Sequence, residues 1–405
     1  MPPEILWCGA FQGLQLAVKI RHASVGVWYC KRSGLARRQG GLRPRHRRLR
    51  RETNMTECSA PATQPTDESR TGEVIGGLRV AEKLLLAFFA YTTVASFLFL
   101  LALRQRLVLV GLNLLVCTVV LLLSRNGVEE RRPFLALVRD WLPCVLILVA
   151  YRESGLFYVP DPAHRLDYLF VRWDDALLKN RWVLALLSFS SPWLQRYLEL
   201  AYLFCYPSVP LALGSLYLAR QFAVAAAGAR PDVIGDRRPA SAAVAAISEQ
   251  PPDTTLIERR YRLAINHFWT AALLAAFTCF LLFPFFPLTP PRELFHDLPG
   301  PRVASLLRGL NHWILGRYAV GASLFPSAHV ATVTAAALAI RTYLPRVGIA
   351  FLILAGSIAL ATVYGRYHYA ADAVAGVLVG VAAFLVSRRI HRKQTNPSAD
   401  GVQQL

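Results

Sequence analysis

The chain has 405 residues, of which 54% are hydrophobic and only 17% are charged. A soluble domain of this size could not bury so much apolar surface, so the composition indicates a protein that exposes apolar surface to lipid. The formal net charge of +20 invites a nucleic-acid function, but the charge is unevenly distributed along the chain.

The first part of the chain carries half of that net charge. Residues 1–54 hold twelve lysines and arginines against Glu4 and Glu52. We interpret this segment as a disordered basic leader rather than as a site for anionic lipid or nucleic acid, and we expect no nucleic-acid partner. Met55 is the only methionine besides Met1. If translation begins at Met55, the protein lacks residues 1–54. Residues 55–75 are rich in Thr, Ser, Pro and Glu, so the prediction of disorder covers residues 1–75.

Eight apolar segments predict membrane-spanning helices. The first, Leu84–Leu103, contains no charged residue and is long enough to cross a hydrocarbon core about 30 Å thick. The third is the least regular, because Arg139 and Asp140 leave only Trp141–Tyr151 cleanly apolar. The eight predicted spans are residues 84–103, 107–123, 134–151, 197–219, 264–286, 327–344, 347–364 and 369–387.

These spans predict an all-α, polytopic membrane protein. Two N-terminal helices, in residues 76–133, precede a second membrane domain in residues 134–390. Within that domain, residues 152–196 mix Trp, Tyr, Asp and Arg, which favours a surface-lying or re-entrant segment at the level of the lipid headgroups. Residues 223–262 are polar and predict a linker, and residues 391–405 predict a disordered tail.

Loop charges predict the orientation of the spans. With eight spans, most basic loops and the basic tail after the last span lie on one side, which the positive-inside rule makes cytoplasmic. The same arrangement of eight spans places His329 and His368 together on the non-cytoplasmic side.

The seven cysteines contain no C-x-x-C pair, and the chain has no Cys/His/Asp cluster at metal-ligand spacing. We therefore expect no disulfide framework, no metal site and no cofactor.

Two short motifs near the C-terminus carry the candidate chemistry. In the first, residues 325–329 (FPSAH), Ser327 precedes an Ala/Val/Thr-rich helix, whose first turn offers backbone N–H groups and a helix dipole to a phosphate. His329 would then lie beside the phosphate, where it could protonate a leaving alkoxide. The alternative is an ordinary serine N-cap with an interfacial histidine.

The second motif, residues 364–372 (YGRYHYAAD), places His368 and Asp372 four residues apart, on one face of a helix start. A carboxylate on one imidazole nitrogen fixes the tautomer and leaves the other nitrogen a better nucleophile. A lone His-x-x-x-Asp is often only a surface pair. Two histidine motifs at the ends of one helical hairpin and on one membrane face favour a catalytic site.

The two motifs together resemble the second and third signature motifs of the type 2 phosphatidic acid phosphatase (PAP2) superfamily, over roughly residues 262–387. The resemblance implies a six-helix core and a phosphoryl-transfer reaction in which His368 attacks phosphorus, Asp372 orients it and His329 protonates the leaving group. It also implies that Ser327 is a phosphate ligand.

The chain departs from the superfamily pattern at three points. Thr362 stands where the pattern has an arginine, six residues before the nucleophile, and Ala328 replaces a glycine. The first motif, Lys-x6-Arg-Pro, is replaced by a proline-rich stretch at residues 283–292. This combination resembles the inositol phosphorylceramide synthase branch. We predict that Arg366 and Arg292 are substitute phosphate-binding cations, and the alternative for Arg292 is an anchor at the lipid headgroups.

The sequence therefore predicts a metal-independent lipid phosphatase or phosphotransferase, with a phospholipid substrate and membrane lipids as partners. We predict a multi-pass integral membrane protein, which is located in the cell membrane if the source is bacterial. The acceptor and the oligomeric state stay open. Two alternatives are a catalytically silent, lipid-binding relative and a small-solute transporter, which would place such residues at helix breaks near the midplane.

Overall fold

The computed structural model describes residues 77–125, 133–159, 163–178, 191–228, 254–295, 305–323 and 325–395. The predicted disordered segment 1–75, most of the predicted linker 223–262 and the end of the tail lie outside the described residues. The described residues contain α-helices and no strand, which confirms the all-α prediction. The twelve helices described are α1 Val80–Leu98, α2 Leu103–Leu123, α3 Pro133–Gly155, α4 Arg165–Leu178, α5 Pro192–Leu203, α6 Ser208–Gly228, α7 Thr254–Leu282, α8 Pro291–Leu294, α9 Leu306–Tyr318, α10 Ala328–Tyr343, α11 Pro345–Tyr364 and α12 Ala370–Thr395.

Seven of these helices are long and apolar enough to cross a membrane: α1, α2, α3, α6, α7, α11 and α12. The protein is therefore a polytopic, all-α membrane protein, as the composition indicated. The predicted segment 152–196 contains the shorter helix α4 and the start of another, α5, and neither helix is a candidate span.

The eighth predicted span, residues 327–344, is α10, which has 16 residues. At 1.5 Å per residue it is about 24 Å long, shorter than a typical hydrocarbon core. Eleven of its residues are buried, because α7, α11 and α12 pack around it. A helix shielded from lipid by its neighbours need not match the thickness of the hydrocarbon, so α10 can be short.

The fourth predicted span, residues 197–219, is not one helix. It is divided between α5 and α6 by a turn at residues 204–207 that ends in Pro207. Proline disfavours the helical conformation of the residue before it, so the hydrophobic run continues while the helix does not.

The charges that interrupt the third predicted span are paired in the fold. Arg139 of α3 donates to the carboxylate of Glu82 in α1, and Asp140 accepts from Arg79 at the start of α1. Trp269 of α7 donates its indole N–H to the Asp140 carbonyl, at 2.8 Å. Buried charges are tolerated when they are paired, so these ion pairs explain how α3 keeps two charged residues in an apolar helix.

Helices α10 and α12 pack closely against each other. A side chain at Gly376 would meet the Ser327 carbonyl oxygen at 2.7 Å, and one at Gly380 would meet the Ala331 carbonyl oxygen at 2.5 Å. The two glycines are four residues apart on one face of α12, the spacing that lets membrane helices approach closely. The facing surface of α10 is rich in alanine. The two helices begin at the same end of the bundle, because the Ser327 N–H donates to the Asp372 carbonyl, at 3.1 Å.

We expect Gly380→Ala to destabilise the protein by about 1–3 kcal/mol, because the added methyl group meets backbone that cannot yield without separating the helices. Gly356→Ala is the matched control, since a side chain there meets nothing within 4 Å, and it should be neutral or stabilising by up to about 1 kcal/mol. Unfolding of the two variants in mixed micelles measures both effects. Equal stability of the two variants would contradict the close-packing account.

Candidate active site

The two sequence motifs meet at the end of the bundle where α10 and α12 begin. His329 lies in the first turn of α10 and His368 lies two residues before α12. Their ring centroids are 6.1 Å apart, with the ring planes at 66°. The close packing of α10 and α12 places the two helix starts side by side, so residues 39 positions apart in the chain face each other.

His368 and Asp372 form the predicted pair. The His368 Nδ1 atom lies 3.3 Å from Asp372 Oδ2, and the Asp372 side chain is fully buried. The same oxygen also accepts from the Tyr369 N–H, at 3.3 Å. A carboxylate next to Nδ1 favours the tautomer with the proton on that atom, which leaves the Nε2 lone pair for an electrophile.

Ser323 completes this pair and was not predicted. Its hydroxyl lies 3.2 Å from His368 Nδ1 and 3.0 Å from Asp372 Oδ2. Its backbone N–H donates to the Leu288 carbonyl at 2.8 Å, which fixes the loop before α10 to the proline-rich stretch after α7. No local sequence pattern marks Ser323, since its partners lie more than 40 residues later in the chain.

Ser327 occupies the N-cap position of α10, as predicted, but its side chain makes no capping hydrogen bond. Its hydroxyl is buried and has no partner among the described residues. The same holds for His329 Nδ1 and for Asp372 Oδ1. Buried polar atoms are normally paired, so three unpaired atoms around one histidine pair indicate a place for a polar ligand.

The two predicted phosphate-binding arginines lie close together, Arg292 in the short helix α8 and Arg366 in the turn after α11. The Arg292 backbone N–H donates to the Arg366 carbonyl at 3.1 Å. Arg366 has a φ of 60°, in the left-handed region that is unusual for a residue with a side chain. The Arg292 guanidinium bonds Glu293 at 2.9 Å, and Arg366 Nη1 reaches the Phe295 carbonyl at 3.5 Å.

The protonation state of His368 follows from these surroundings. Burial, together with the guanidinium of Arg292, lowers the pKa of His368 to about 3. The ordinary pKa of histidine is about 6.5, so the imidazole is neutral at neutral pH and keeps a lone pair. Because the folded pKa lies below the unfolded value, this group contributes stability above pH 6.5, and that contribution is lost as the pH falls towards 3.

Tyrosines from the divided span form one side of the site. The rings of Tyr202 and Tyr367 stack at 3.9 Å, and those of Tyr202 and Tyr206 lie 6.3 and 5.8 Å from the His329 ring. The turn between α5 and α6 therefore brings aromatic side chains to His329. A continuous helix over residues 197–219 would place these side chains differently.

Glu199 of α5 anchors the residue before His368. Its carboxylate accepts from the Tyr367 hydroxyl at 2.7 Å and from Asn311 Nδ2 at 2.8 Å. The Arg308 guanidinium bonds its other oxygen at 2.7 Å. Both α5 and α9 thus hold the loop that carries His368, through residues that no sequence motif identified.

Within the described part of the chain, no group of three or more His, Cys, Asp and Glu side chains is placed to hold a metal ion. Five of the six predicted site residues lie on α10, at the start of α12, or on the two loops that precede these helices, and the sixth, Arg292, lies in the short helix α8.

Comparison with known families gives a match over part of the chain. Residues 254–386 match the family model of the PAP2 superfamily. The matched segment begins with α7, ends within α12 and contains all six predicted site residues. No curated protein and no solved structure matches the chain. The match supports a phosphatase- or phosphotransferase-type enzyme, and it does not distinguish the inositol phosphorylceramide synthase branch.

We expect Ser323→Ala to lower the rate of phosphoryl transfer about 10- to 100-fold, since a hydrogen bond to a charged group contributes about 1.5–3 kcal/mol. The measurement is the turnover number of purified protein on a phospholipid. Ser357→Ala is the matched control, because the Ser357 hydroxyl bonds only the exposed Tyr197 and its own helix. A wild-type rate in Ser323→Ala would show that the hydroxyl does not orient the pair.

Proposed function

We propose that the protein is a membrane-embedded lipid phosphatase or phosphotransferase that acts on phospholipid headgroups through a phosphohistidine on His368. The observation that carries the proposal is the facing pair of histidines, 6.1 Å apart between ring centroids, with Asp372 and Ser323 behind one of them. The PAP2 superfamily match over the same residues supports it. The match does not favour a transporter or a silent lipid-binding relative.

The reaction runs in two steps. In the first, His368 Nε2 attacks phosphorus, the bond from phosphorus to the leaving alkoxide breaks, and His329, protonated in the complex with the substrate, gives that proton to the alkoxide and becomes neutral. In the second, water or a lipid hydroxyl attacks the phosphohistidine, the phosphorus–nitrogen bond breaks, and His329 takes the proton from the incoming oxygen. Water as acceptor gives hydrolysis, and a lipid hydroxyl gives transfer.

Charge on the phosphate oxygens is balanced by groups that converge on the two histidines. The unpaired Ser327 hydroxyl and the backbone N–H groups at the start of α10 donate to the phosphate. Arg366 and Arg292 supply positive charge, and arginine offers a forked set of donors that suits phosphate oxygens. The chemistry needs no metal, because these donors and cations take the role of a Lewis acid.

The departures from the superfamily pattern support the transferase branch that resembles inositol phosphorylceramide synthase. Thr362 is buried, and its carbonyl accepts from the backbone N–H groups of Tyr367 and His368, at 2.8 and 3.1 Å. Thr362, which stands where the superfamily pattern has an arginine, is thus part of the turn that holds the nucleophile His368. The proline-rich stretch supplies the Leu288 and Thr289 carbonyls that bind Ser323 and Tyr369.

We expect His368→Ala to abolish activity and Asp372→Asn to leave a folded enzyme that is slower by a factor of about 10³ or more. Protein that has been incubated with ³²P-labelled phospholipid and quenched in alkaline detergent should carry base-stable, acid-labile label in the wild type. His368→Ala should carry none, and His329→Ala should accumulate label if leaving-group departure still occurs slowly. Wild-type turnover in His368→Ala would overturn the assignment.

Activity is expected to survive removal of divalent cations. Purified protein should retain its turnover in EDTA, because arginine and backbone donors balance the phosphate charge. A loss of activity that Mg²⁺ restores would contradict a metal-independent mechanism. A paired assay with and without a lipid hydroxyl acceptor distinguishes transfer from hydrolysis.

In this proposal the site faces the non-cytoplasmic side. The basic segment after the last span would stay cytoplasmic, and α12 then begins on the far side, together with α10. Leu306→Cys, at a site 90% exposed, and Arg389→Cys test this in a background without native cysteines. A membrane-impermeant thiol reagent on intact cells should label position 306 and not 389. The reverse pattern would place the site on the cytoplasmic leaflet.

A further inference from the structure

Helix α4 contacts both catalytic motifs, although it lies outside the segment that matches the PAP2 superfamily. The Phe170 ring is fully buried and meets the rings of Phe325 and Tyr369, at 4.7 and 5.7 Å between centroids. Phe325 belongs to the first motif and Tyr369 to the second. One side chain of α4 therefore packs against the loops that carry His329 and His368.

Two carboxylates of α4 bind the backbone around the site. Asp174 accepts from the N–H groups of Ala370 and Ala371, one on each oxygen, at 2.9 and 3.0 Å. It thereby caps the start of α12 from outside that helix. Asp167 accepts from the Thr289 N–H at 2.7 Å and lies 3.3 Å from the Tyr369 hydroxyl.

The surface of α4 away from these contacts is divided into two flanks. One flank is an apolar stripe of Leu169, Trp173 and Leu177, which lie four residues apart and are 38%, 43% and 44% exposed. Arg172 is also exposed and lies about 100° around the helix from the centre of that stripe. A helix with one apolar flank that includes Trp, and one polar flank, is typical of the membrane–water interface.

The contacts of α4 also fix its depth. Asp174 binds the first two residues of α12, which are the first residues of a candidate membrane span. The helix therefore lies at the end of a span, at the boundary where lipid headgroups meet the hydrocarbon. Lipid is the occupant that this position and this apolar stripe fit.

We propose that α4 is an interfacial helix whose apolar stripe inserts into the bilayer and whose carboxylates hold the catalytic loops, so that contact with lipid sets the geometry of the site. Asp174 and Asp167 are positioning residues in this scheme. The expected effect on turnover rests on the proposed function. Insertion of the apolar stripe into the bilayer and ordering of the loops by α4 do not rest on it.

Insertion is tested with an environment-sensitive fluorophore on single cysteines, with the full chain in nanodiscs of phosphatidylcholine and phosphatidylglycerol. Labels on Leu169→Cys and Leu177→Cys should emit at shorter wavelength and be quenched by nitroxide lipids. A label on Arg172→Cys is the matched control and should remain in water. Labels at 169 and 177 that stay in water, or that are shielded by a second copy of the chain, would overturn the assignment to lipid.

Coupling is tested by amide hydrogen exchange at residues 370 and 371 in the same nanodiscs. Replacement of Leu169, Trp173 and Leu177 by Gln should speed exchange there at least about tenfold, and Arg172→Gln should not. Asp174→Asn should speed exchange equally while the label at 177 stays inserted, which separates the cap from the membrane contact. Inserted labels with unchanged exchange in the triple variant would overturn the coupling.

Turnover gives a third readout that depends on the proposed function. In an active enzyme, the triple variant and Asp174→Asn should lower kcat about tenfold with KM little changed, because α4 positions the nucleophile rather than the substrate. A loss of stability together with a raised KM would indicate a purely structural role for α4. If the wild type shows no turnover, the proposed function fails while the label and exchange results still decide the role of α4.

Discussion

The close approach of α10 to α12 is the constraint on which the site depends. Gly376 and Gly380 of α12 lie so close to the backbone of α10 that neither position has room for a side chain. Because the helices start at the same end, this contact places His329 beside His368 and joins the Ser327 N–H to the Asp372 carbonyl. In a membrane, where lipid is as apolar as the helices, close packing of small residues supplies much of the association energy.

Some buried polar groups of the bundle are paired, and others lack a partner among the described residues, both at the site and elsewhere. Arg139 and Asp140 of α3 are joined in ion pairs to Glu82 and Arg79, and Glu199 binds three donors at once. At the site, in contrast, Ser327, His329 and Asp372 each keep a buried atom without a partner among the described residues. An unpaired polar atom in an apolar surrounding costs free energy, and in the proposed function the Ser327 hydroxyl would donate to a phosphate oxygen.

The segment that matches the PAP2 superfamily does not build the site alone. Glu199 on α5 and Asp174 on α4 both lie outside residues 254–386, and each binds residues adjacent to His368. The histidines thus come from one part of the chain, while their loops are held by helices from another.

The sequence by itself determined the features that depend on composition and short-range spacing. Long apolar runs predicted spanning helices because a helix must match the thickness of the membrane. The four-residue spacing of His368 and Asp372 predicted that they pair, although His368 lies two residues before α12 and not on it. The same reasoning treated residues 197–219 as one helix, since hydropathy does not register the break at Pro207, and it treated α10 as a full-length span, since hydropathy does not register shielding by neighbours. Only the tertiary structure decided which distant residues complete the site. Ser323 reaches a pair more than 40 residues away, Asp174 caps a helix almost 200 residues later, and Glu199 binds Tyr367, because helix packing, and not sequence proximity, brings these groups together.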